Sequence, residues 1–282
     1  MTRWAALGLM ILPALVAPTA ATAQDAPAAT AQDMPAATVV ARWPAEEARQ
    51  GVAADARYFY PNSNNRIGKY DKVTGKRVAQ WEGPLKLYPH MNSCVVDGAE
   101  LVCAASNYPA VPMASVVEVF DTATLHHIRS VTLPPLPGSL TWIERHGDGW
   151  YGGFANYPAD HGGEAGHDYT WTRLVRFDAQ FRPTGSWLFP ASVLDRFAPM
   201  SNSGGSWGDD GLLYVTGHDR GELYALRLPD AGGMLEHVAT IALPTGGQAI
   251  AWDRSQSRVL WSLDRATKMV VASRIPPVAA GR

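Results

Sequence analysis

The sequence predicts an all-β protein with a five-bladed β-propeller fold, and two observations carry this prediction. A composite pattern of four short strands returns about every 45 residues, with an Asp/Gly-rich turn after its first strand and an aromatic–Asp turn after its third. Four strands at this period are typical of a propeller blade. A shorter repeat points the same way, because Asn-Tyr-Pro-Ala stands at positions 107–110 and again at 156–159, at the same place in two neighbouring units.

Each unit begins with polar residues that lead into a first apolar strand. The five starts are Gln50, Asn92 with Ser93, Ser139, Ser203 and Gln248. Within each unit, alternating apolar and polar residues separated by turn residues predict strands. The interval between the third and fourth starts is the longest, because it contains two insertions, residues 158–171 and 191–202.

The fifth unit supplies only three strands, the last of them ending near Arg274. Residues 38–43, Thr-Val-Val-Ala-Arg-Trp, resemble the fourth strand of the first unit at 77–81. We therefore predict that the N-terminal strand completes the last blade, which leaves no open edge between the two ends of the chain. A single propeller is expected over residues 38–276, with a short tail at 277–282.

Residues 1–23 are predicted to be a secretory signal peptide. Arg3 precedes an apolar run that extends to about Val16, and Ala21-Thr22-Ala23 supplies the small residues of a cleavage site. Residues 24–37 repeat an Ala/Pro/Thr/Gln pattern with little to bury, which predicts a flexible leader. The mature protein is expected to be periplasmic or secreted, without a membrane span, since no later apolar segment is long enough.

Composition argues against two classes of partner. The formal net charge is −2 and no cluster of basic residues stands out, so neither nucleic-acid binding nor docking on an anionic membrane is expected. The 10 Trp and 10 Tyr are expected to pack mainly between blades. We expect a monomer whose partner is a small-molecule ligand.

The two cysteines flank a predicted hairpin. A turn centred on Gly98 and Ala99 places Cys94 opposite Cys103, close enough for a disulfide. An exported protein meets the oxidising conditions in which such a bond persists. A cross-strand disulfide is favoured over two buried free thiols, and a catalytic thiol is disfavoured because both cysteines follow the alternation of strand residues.

The ligand site is predicted at the mouth of the central channel. In a propeller the first strand of each blade lines the channel, and the loop between its second and third strands faces the mouth. Here those loops carry Asn62, Asn107, Asn156, His218 with Asp219, and Asp264. Any single Asn or Ser is more often a turn residue. A polar residue at the corresponding place in all five blades predicts a binding site.

His218 is the predicted general acid or base, because it is the imidazole of this ring and lies beside Asp219. His90 precedes the first strand of the second blade and is a predicted partner across the mouth. We therefore assign catalytic roles to His218, His90 and Asp264. The residues expected to bind ligand are Asn92, Ser93, Asn107, Asn156, Ser203, Asp219 and Gln248. The alternative is that the two histidines are ordinary loop residues.

Two groups of residues resemble known propeller families. The turns at Tyr70-Asp71 and Phe120-Asp121 resemble those of quinoprotein and NHL-type propellers. The stretches 92–110 and 201–219 resemble exported bacterial propeller proteins labelled cycloisomerases, and this resemblance covers nearly the whole mature chain. It implies an activity that opens or closes a ring in a small molecule.

A metal site is implied by a further resemblance, to gluconolactonase-type propellers. Those proteins hold a divalent ion with Asn, Asp and Glu side chains at channel strand ends. Here Asn107, Asn156 and Asp264 would correspond, with calcium or zinc as the ion. Those propellers have six blades and this chain supplies five, so the cofactor is left unassigned.

The leading functional hypothesis is an exported enzyme that acts on a small polar molecule at the channel mouth. Ring opening or closure, as in a cyclising isomerase, lyase or lactonase, is the expected reaction, with His218 as the acid–base group and the ring of Asn side chains binding substrate oxygens or a divalent ion. The competing hypothesis is a non-catalytic propeller that binds a ligand or a partner protein, since fold alone does not decide function.

Overall fold

The computed structural model describes Met1 and residues 34–278 of the chain. Five four-stranded antiparallel sheets form the blades of a closed ring, which confirms the predicted five-bladed propeller. The predicted signal peptide, the leader up to residue 33 and the tail from residue 279 lie outside the described residues. Within the described part of the chain, no helix is long and apolar enough to cross a membrane.

The strands follow one another blade by blade, apart from the first. β1 is Thr38–Pro44. The first blade contains β2 (Gly51–Ala54), β3 (Tyr58–Ser63), β4 (Arg66–Asp71) and β5 (Arg77–Glu82). The second contains β6 (His90–Asp97), β7 (Glu100–Ser106), β8 (Ser115–Asp121) and β9 (His127–Thr132). The third contains β10 (Ser139–His146), β11 (Gly149–Ala155), β12 (Arg173–Phe177) and β13 (Pro183–Leu188). The fourth contains β14 (Gly204–Trp207), β15 (Leu213–Thr216), β16 (Glu222–Arg227) and β17 (Glu236–Ala242), and β18 (Ala251–Trp252), β19 (Val259–Asp264) and β20 (Met269–Arg274) follow in the fifth.

The N-terminal strand closes the ring as predicted. β1 pairs antiparallel with β20 and becomes the outer strand of the fifth blade, so that blade has the order β18, β19, β20, β1. Trp43 on β1 stacks on Trp261 with ring centroids 5.3 Å apart and lies 5.4 Å from Phe59 of the first blade. The first and last strands of the propeller therefore meet in one sheet, and aromatic packing extends from that sheet across to the next blade.

A buried ion pair joins the same two blades beside Trp261. Lys72, in the turn after β4, donates to Asp253 at 2.7 Å, and both side chains are almost fully buried. Asp253 also accepts from Trp261 Nε1 at 2.9 Å. These bonds satisfy a carboxylate that would be costly to bury alone, and they connect the first blade to the fifth.

The last residues of the predicted leader contact the propeller. Ala37 N donates to Ala242 O at 2.9 Å, and Ala242 N donates to Pro35 O at 2.8 Å. Ala242 ends β17, the outer strand of the fourth blade. Residues 35–37 therefore lie against the fourth blade before β1 joins the fifth.

Buried side chains form a cluster between each pair of adjacent blades. One such cluster joins Val52 and Phe59 of the first blade to Val270 of the fifth, and another joins Tyr60 to Leu101 and Phe120 of the second. Three more fill the remaining gaps around the ring. Most of the aromatic residues lie in these clusters, so the core depends on blades that pack side by side.

The two insertions add short helical segments. Residues 158–171 contain 3₁₀ turns at Ala159–His161 and Tyr169–Trp171. The second insertion forms the helix α1 (Ala191–Phe197), whose buried face consists of Val193, Leu194 and Phe197. α1 packs on the third and fourth blades through these residues.

The predicted disulfide links Cys94 to Cys103. The two residues face each other in the β6–β7 ladder, in the register that the hairpin turn predicts. Both are buried, next to Met91 in the cluster between the first and second blades. The bond therefore crosslinks the two inner strands of the second blade.

Replacing Trp43 by Ala tests how much the closure contributes. Loss of its packing on Trp261 and Phe59 should lower the free energy of unfolding by about 3 kcal/mol, at the low end for a Trp→Ala change because Trp43 is only partly buried. Val40→Ala in the same strand is the control, because the Val40 side chain is 49 % exposed and should cost no more than about 0.5 kcal/mol. If urea unfolding curves give the same loss of unfolding free energy for Trp43→Ala and Val40→Ala, β1 does not stabilise the ring through Trp43.

Removing the disulfide should also destabilise the protein. The cysteines are 9 residues apart, and the chain-entropy model gives about 2–3 kcal/mol for so short a loop. The variant Cys94→Ala/Cys103→Ala should lower the urea midpoint accordingly.

Native protein should show no alkylatable thiol by mass spectrometry under non-reducing conditions, and two alkylated cysteines would contradict the pairing.

Candidate functional site

A cavity of about 210 Å³ opens at the end of the channel where the first strands begin. We call it the mouth cavity. Its lining comprises Gln50, His90, Asn92, Tyr108, Thr141, Tyr157, Met200, Ser203, His218, Gln248 and Arg265. Every blade contributes to it. The structure thus brings together five of the predicted site residues, His90, Asn92, Ser203, His218 and Gln248.

Two β-bulges present polar side chains to the mouth cavity. The pairing of β6 with β7 shifts between Met91 and Ser93, which leaves Asn92 as the extra residue. The pairing of β10 with β11 shifts in the same way around Thr141. A bulge re-aims the side chain of its extra residue and bends the strand. Asn92 and Thr141 line the cavity at these two irregular positions.

His218 is held between an acidic and a basic side chain. Its Nδ1 lies 2.6 Å from Asp219 Oδ1, and its Nε2 lies 3.4 Å from Nη1 of Arg265. A guanidinium only donates hydrogen bonds, so Nε2 must be the acceptor and Nδ1–H the donor to Asp219. Asp219 therefore orients the ring and leaves the lone pair of Nε2 on the side of Arg265.

His90 is a neutral imidazole at physiological pH. Burial lowers the pKa of His90 to about 4, a hydrogen bond with Asn92 acts in the opposite direction, and the positive charge of Arg265 lowers it further. A neutral histidine donates one hydrogen bond and accepts another. His90 can therefore position a ligand oxygen without adding charge to the cavity.

Aromatic rings form one wall of the mouth cavity. The ring centroids of His90 and Tyr108 are 5.1 Å apart, and those of Tyr108 and Tyr157 are 5.0 Å apart. Burial raises the pKa of Tyr157, so its hydroxyl stays protonated. Among the described residues that hydroxyl has no hydrogen-bond partner. Tyr157 thus offers a ring face and a free hydroxyl to a ligand.

The aromatic wall depends on two loops that pack on each other. The Tyr108 hydroxyl donates to His161 O at 2.8 Å, and Met113 N donates to Glu164 Oε1 at 2.7 Å. Tyr108 and Met113 belong to the loop after β7, whereas His161 and Glu164 belong to the first insertion. The insertion therefore fixes the position of Tyr108 beside the cavity.

Neutral polar groups complete the lining. Gln248 Nε2 donates to His218 O at 3.3 Å, and Gln50 Nε2 donates to Asn64 Oδ1 at 2.8 Å. These bonds hold both amides while their carbonyl oxygens remain available as acceptors. The Ser203 hydroxyl has no partner among the described side chains. The cavity can therefore bind several oxygen or nitrogen atoms of one small molecule.

Five predicted site residues lie outside the mouth cavity. Asp219 and Asp264 line an adjoining cavity of about 480 Å³ that shares His218, Gln248 and Arg265 with it. Ser93 is buried in β6. Asn107 Oδ1 accepts from Ala114 N at 2.8 Å and so holds its own loop. Asn156 Nδ2 donates to Trp171 O at 3.2 Å and to Pro137 O at 3.4 Å. Asn107 and Asn156 thus act as loop-bracing residues here.

The residues suggested for a metal do not form a ligand set. Asn107 Oδ1 already accepts from Ala114 N, and Asp264 Oδ1 accepts from Ala266 N at 3.0 Å and from Thr267 N at 3.3 Å. Nor do three His, Cys, Asp or Glu side chains gather anywhere in residues 34–278 in a way that suits a metal. These residues therefore do not fit calcium or zinc.

Sequence reasoning missed Arg265, Tyr108, Tyr157, Thr141 and Met200. The two tyrosines could have been found from the sequence, because each follows the Asn of the repeated Asn-Tyr-Pro-Ala motif. Arg265 directly follows Asp264, the polar residue predicted for the fifth blade. Thr141 and Met200 had no such signal, since their positions depend on a bulge and on the path of an insertion.

No protein-family model and no curated protein sequence matches this chain. Solved structures do resemble it. The PQQ-bound aldose sugar dehydrogenase from Streptomyces coelicolor has a TM-score of 0.55 and 12 % identity over 86 % of this chain and 98 % of its own. A luciferin-regenerating enzyme has a TM-score of 0.50 and 9 % identity over 87 % of this chain and 96 % of its own. At such identities the likeness shows the fold alone.

The low pKa of His90 can be measured directly. Its imidazole should stay neutral from pH 8 to about 5 and titrate near pH 4 in an NMR titration of ¹⁵N-histidine-labelled protein. His90→Gln identifies the signal by its loss. The imidazole of His90 has a pKa of 6.5 in the unfolded chain and of about 4 in the folded protein. Because the unfolded chain binds the proton first, His90 should destabilise the folded state increasingly as the pH falls from about 6.5 to about 4. A midpoint near 6.5 would contradict the burial of the ring.

Proposed function

We propose that this protein is an exported enzyme that opens or closes a ring in a small polar molecule bound in the mouth cavity. The observation that carries the proposal is the arrangement of His218. Its Nδ1–H is fixed on Asp219 and its Nε2 is an unprotonated acceptor at the cavity wall. A histidine oriented by a carboxylate is suited to accept and return a proton.

Lactone opening illustrates the chemistry. The oxygen of a water molecule bonds to the ring carbonyl carbon while its proton passes to Nε2 of His218. The ring C–O bond then breaks, and the departing ring oxygen takes that proton, so the products are one hydroxy acid and the neutral imidazole. Ring closure is the reverse sequence. Asp219 stabilises the imidazolium that exists between the two proton transfers.

The rest of the cavity would orient the substrate. His90 is neutral and can donate to a carbonyl oxygen, as can the free hydroxyls of Tyr157 and Ser203. Donors that are already in place stabilise the negative charge that develops on that oxygen in the transition state. The substrate ring would lie against Tyr108 and Tyr157.

Export is supported by the disulfide. Bonds such as Cys94–Cys103 persist in oxidising compartments and are rare in a reducing cytosol. The predicted signal peptide at residues 1–23 agrees with this placement. We therefore place the enzyme in the periplasm or outside the cell, and the resemblance to exported propellers labelled cycloisomerases is consistent with it.

One observation favours a non-catalytic ligand-binding propeller instead. Arg265 Nη1 covers Nε2 of His218, the nitrogen that a general base needs free. In a binding protein this contact would simply help to hold the loop. The two functions differ in whether His218 affects turnover or affinity.

The proposal predicts a large kinetic effect at His218. With γ- and δ-lactones and their hydroxy acids as a substrate panel, interconversion followed by NMR should be catalysed by the wild-type protein. His218→Ala should lower kcat by about 10²–10⁴-fold, as expected for loss of a general acid–base group. Asp219→Asn should lower kcat less, because the imidazole remains but loses its negatively charged partner.

His126→Ala is the matched control. His126 is an exposed histidine in the turn after β8 and is not among the residues that line the mouth cavity, so its removal should leave kcat unchanged. Turnover that survives in His218→Ala would eliminate the acid–base role. A wild-type protein that binds members of the panel but converts none would support the ligand-binding function.

A further inference from the structure

Arg265 is the only permanently charged side chain among the residues that line the mouth cavity. It is exposed, and in the described part of the chain its guanidinium has no carboxylate partner. Its sole hydrogen-bond contact there is the long one to His218 Nε2, at 3.4 Å. A cation without a counter-ion in a concave, partly buried site attracts an anionic ligand.

Arg265 also stands where three cavities meet. It lines the mouth cavity, the adjoining cavity with Asp219 and Asp264, and a third cavity of about 340 Å³. Arg49 and Lys268 line the third cavity and likewise have no acidic partner in residues 34–278.

The acidic groups near these cavities are already engaged. Asp219 binds His218, Asp264 accepts from the backbone of its own turn, and Glu46 pairs with Arg77 at 3.2 Å. None of these carboxylates forms an ion pair with Arg265 in the described part of the chain, so the guanidinium keeps N–H donors for a ligand.

We propose that the mouth cavity recognises a small organic carboxylate, with the carboxylate bound by the Arg265 guanidinium and the remainder of the molecule against the Tyr108–Tyr157 wall. This inference rests on the proposed function for the location of the site, and it names the substrate class. A ring-opened hydroxy acid carries such a carboxylate.

A carboxylate fits the site better than a phosphate. A single guanidinium presents two parallel N–H donors that match the two oxygens of a carboxylate. The other donors in the mouth cavity are neutral amides and hydroxyls. A phosphate carries more charge and more acceptor oxygens than one guanidinium satisfies.

Carboxylate binding would also change the surroundings of His218. Charge-assisted hydrogen bonds to a carboxylate are shorter and stronger than the 3.4 Å contact from Arg265 Nη1 to Nε2. The guanidinium would turn toward the ligand, and Nε2 would become free to accept a proton. In the ring-closing direction, the carboxylate of the hydroxy acid would thus release the contact that covers Nε2.

Direct binding measurements test this substrate class without any need for turnover. The probes are acetate, glycolate and benzoate, each compared with its neutral amide, by NMR titration at about pH 7 and low ionic strength. At least one carboxylate should bind more tightly than its amide by about tenfold. Arg265→Gln should weaken the binding of that carboxylate by about tenfold and leave the binding of its amide unchanged. Arg265→Lys should bind the carboxylate with an affinity between those of Arg265→Gln and the wild type.

Arg220→Gln is the matched control, because Arg220 is exposed on the His218 loop and is not among the residues that line the three cavities. It removes the same long-range charge and should leave carboxylate affinity within about twofold of wild type.

Two results would overturn the inference: no carboxylate binds more tightly than its amide, or Arg265→Gln and Arg220→Gln weaken binding equally. If inorganic phosphate binds at Arg265 more tightly than every carboxylate tested, the proposed ligand class is wrong and the site recognises phosphate instead. These outcomes are independent of the His218→Ala kinetics, so an anion site can stand even if catalysis by His218 is disproved.

Discussion

Closure of the ring by β1 is the interaction on which the rest of the structure depends. Propeller blades stabilise one another only side by side, so a ring that is open at one seam loses a whole inter-blade core. Here the seam between the fifth and first blades is held by β1 pairing with β20, by the Trp43–Trp261 stack and by the buried Lys72–Asp253 pair. The same seam borders the mouth cavity, since Ala249 N donates to Gln50 O at 3.1 Å. Ring closure therefore positions the ligand site as well as the core.

The mouth cavity combines groups whose charges are controlled by their surroundings. Burial keeps His90 neutral, Asp219 orients His218, and the Arg265 guanidinium has no acidic partner within residues 34–278. An unpaired cation contributes little to folding stability, whereas it contributes directly to the recognition of an anion. This difference separates Arg265 from Lys72, whose charge is buried and fully paired as part of the scaffold.

The candidate site was only partly predictable, and particular residues show why. His218, Ser203 and Gln248 were found because blade geometry brings strand starts and second-to-third-strand loops to one end of the channel. Asn107 occupies an equivalent place in the repeat, yet its amide holds its own loop, because a Pro-rich turn offers nearer partners. Thr141 was missed because its exposure to the cavity depends on a bulge that no residue pattern in the sequence predicts.

The sequence by itself determined the fold class, the number of blades, the closing strand and the Cys94–Cys103 register. These features follow from local periodicity and from the two-residue alternation of strands, which are written into contiguous residues. Only the tertiary structure decided which polar side chains meet at the channel mouth. Arg265 reaches His218, and Tyr108 reaches Tyr157, across blade boundaries. Such contacts depend on how neighbouring blades pack, where strands bulge and where insertions dock, and these are properties of the assembled ring rather than of any single repeat.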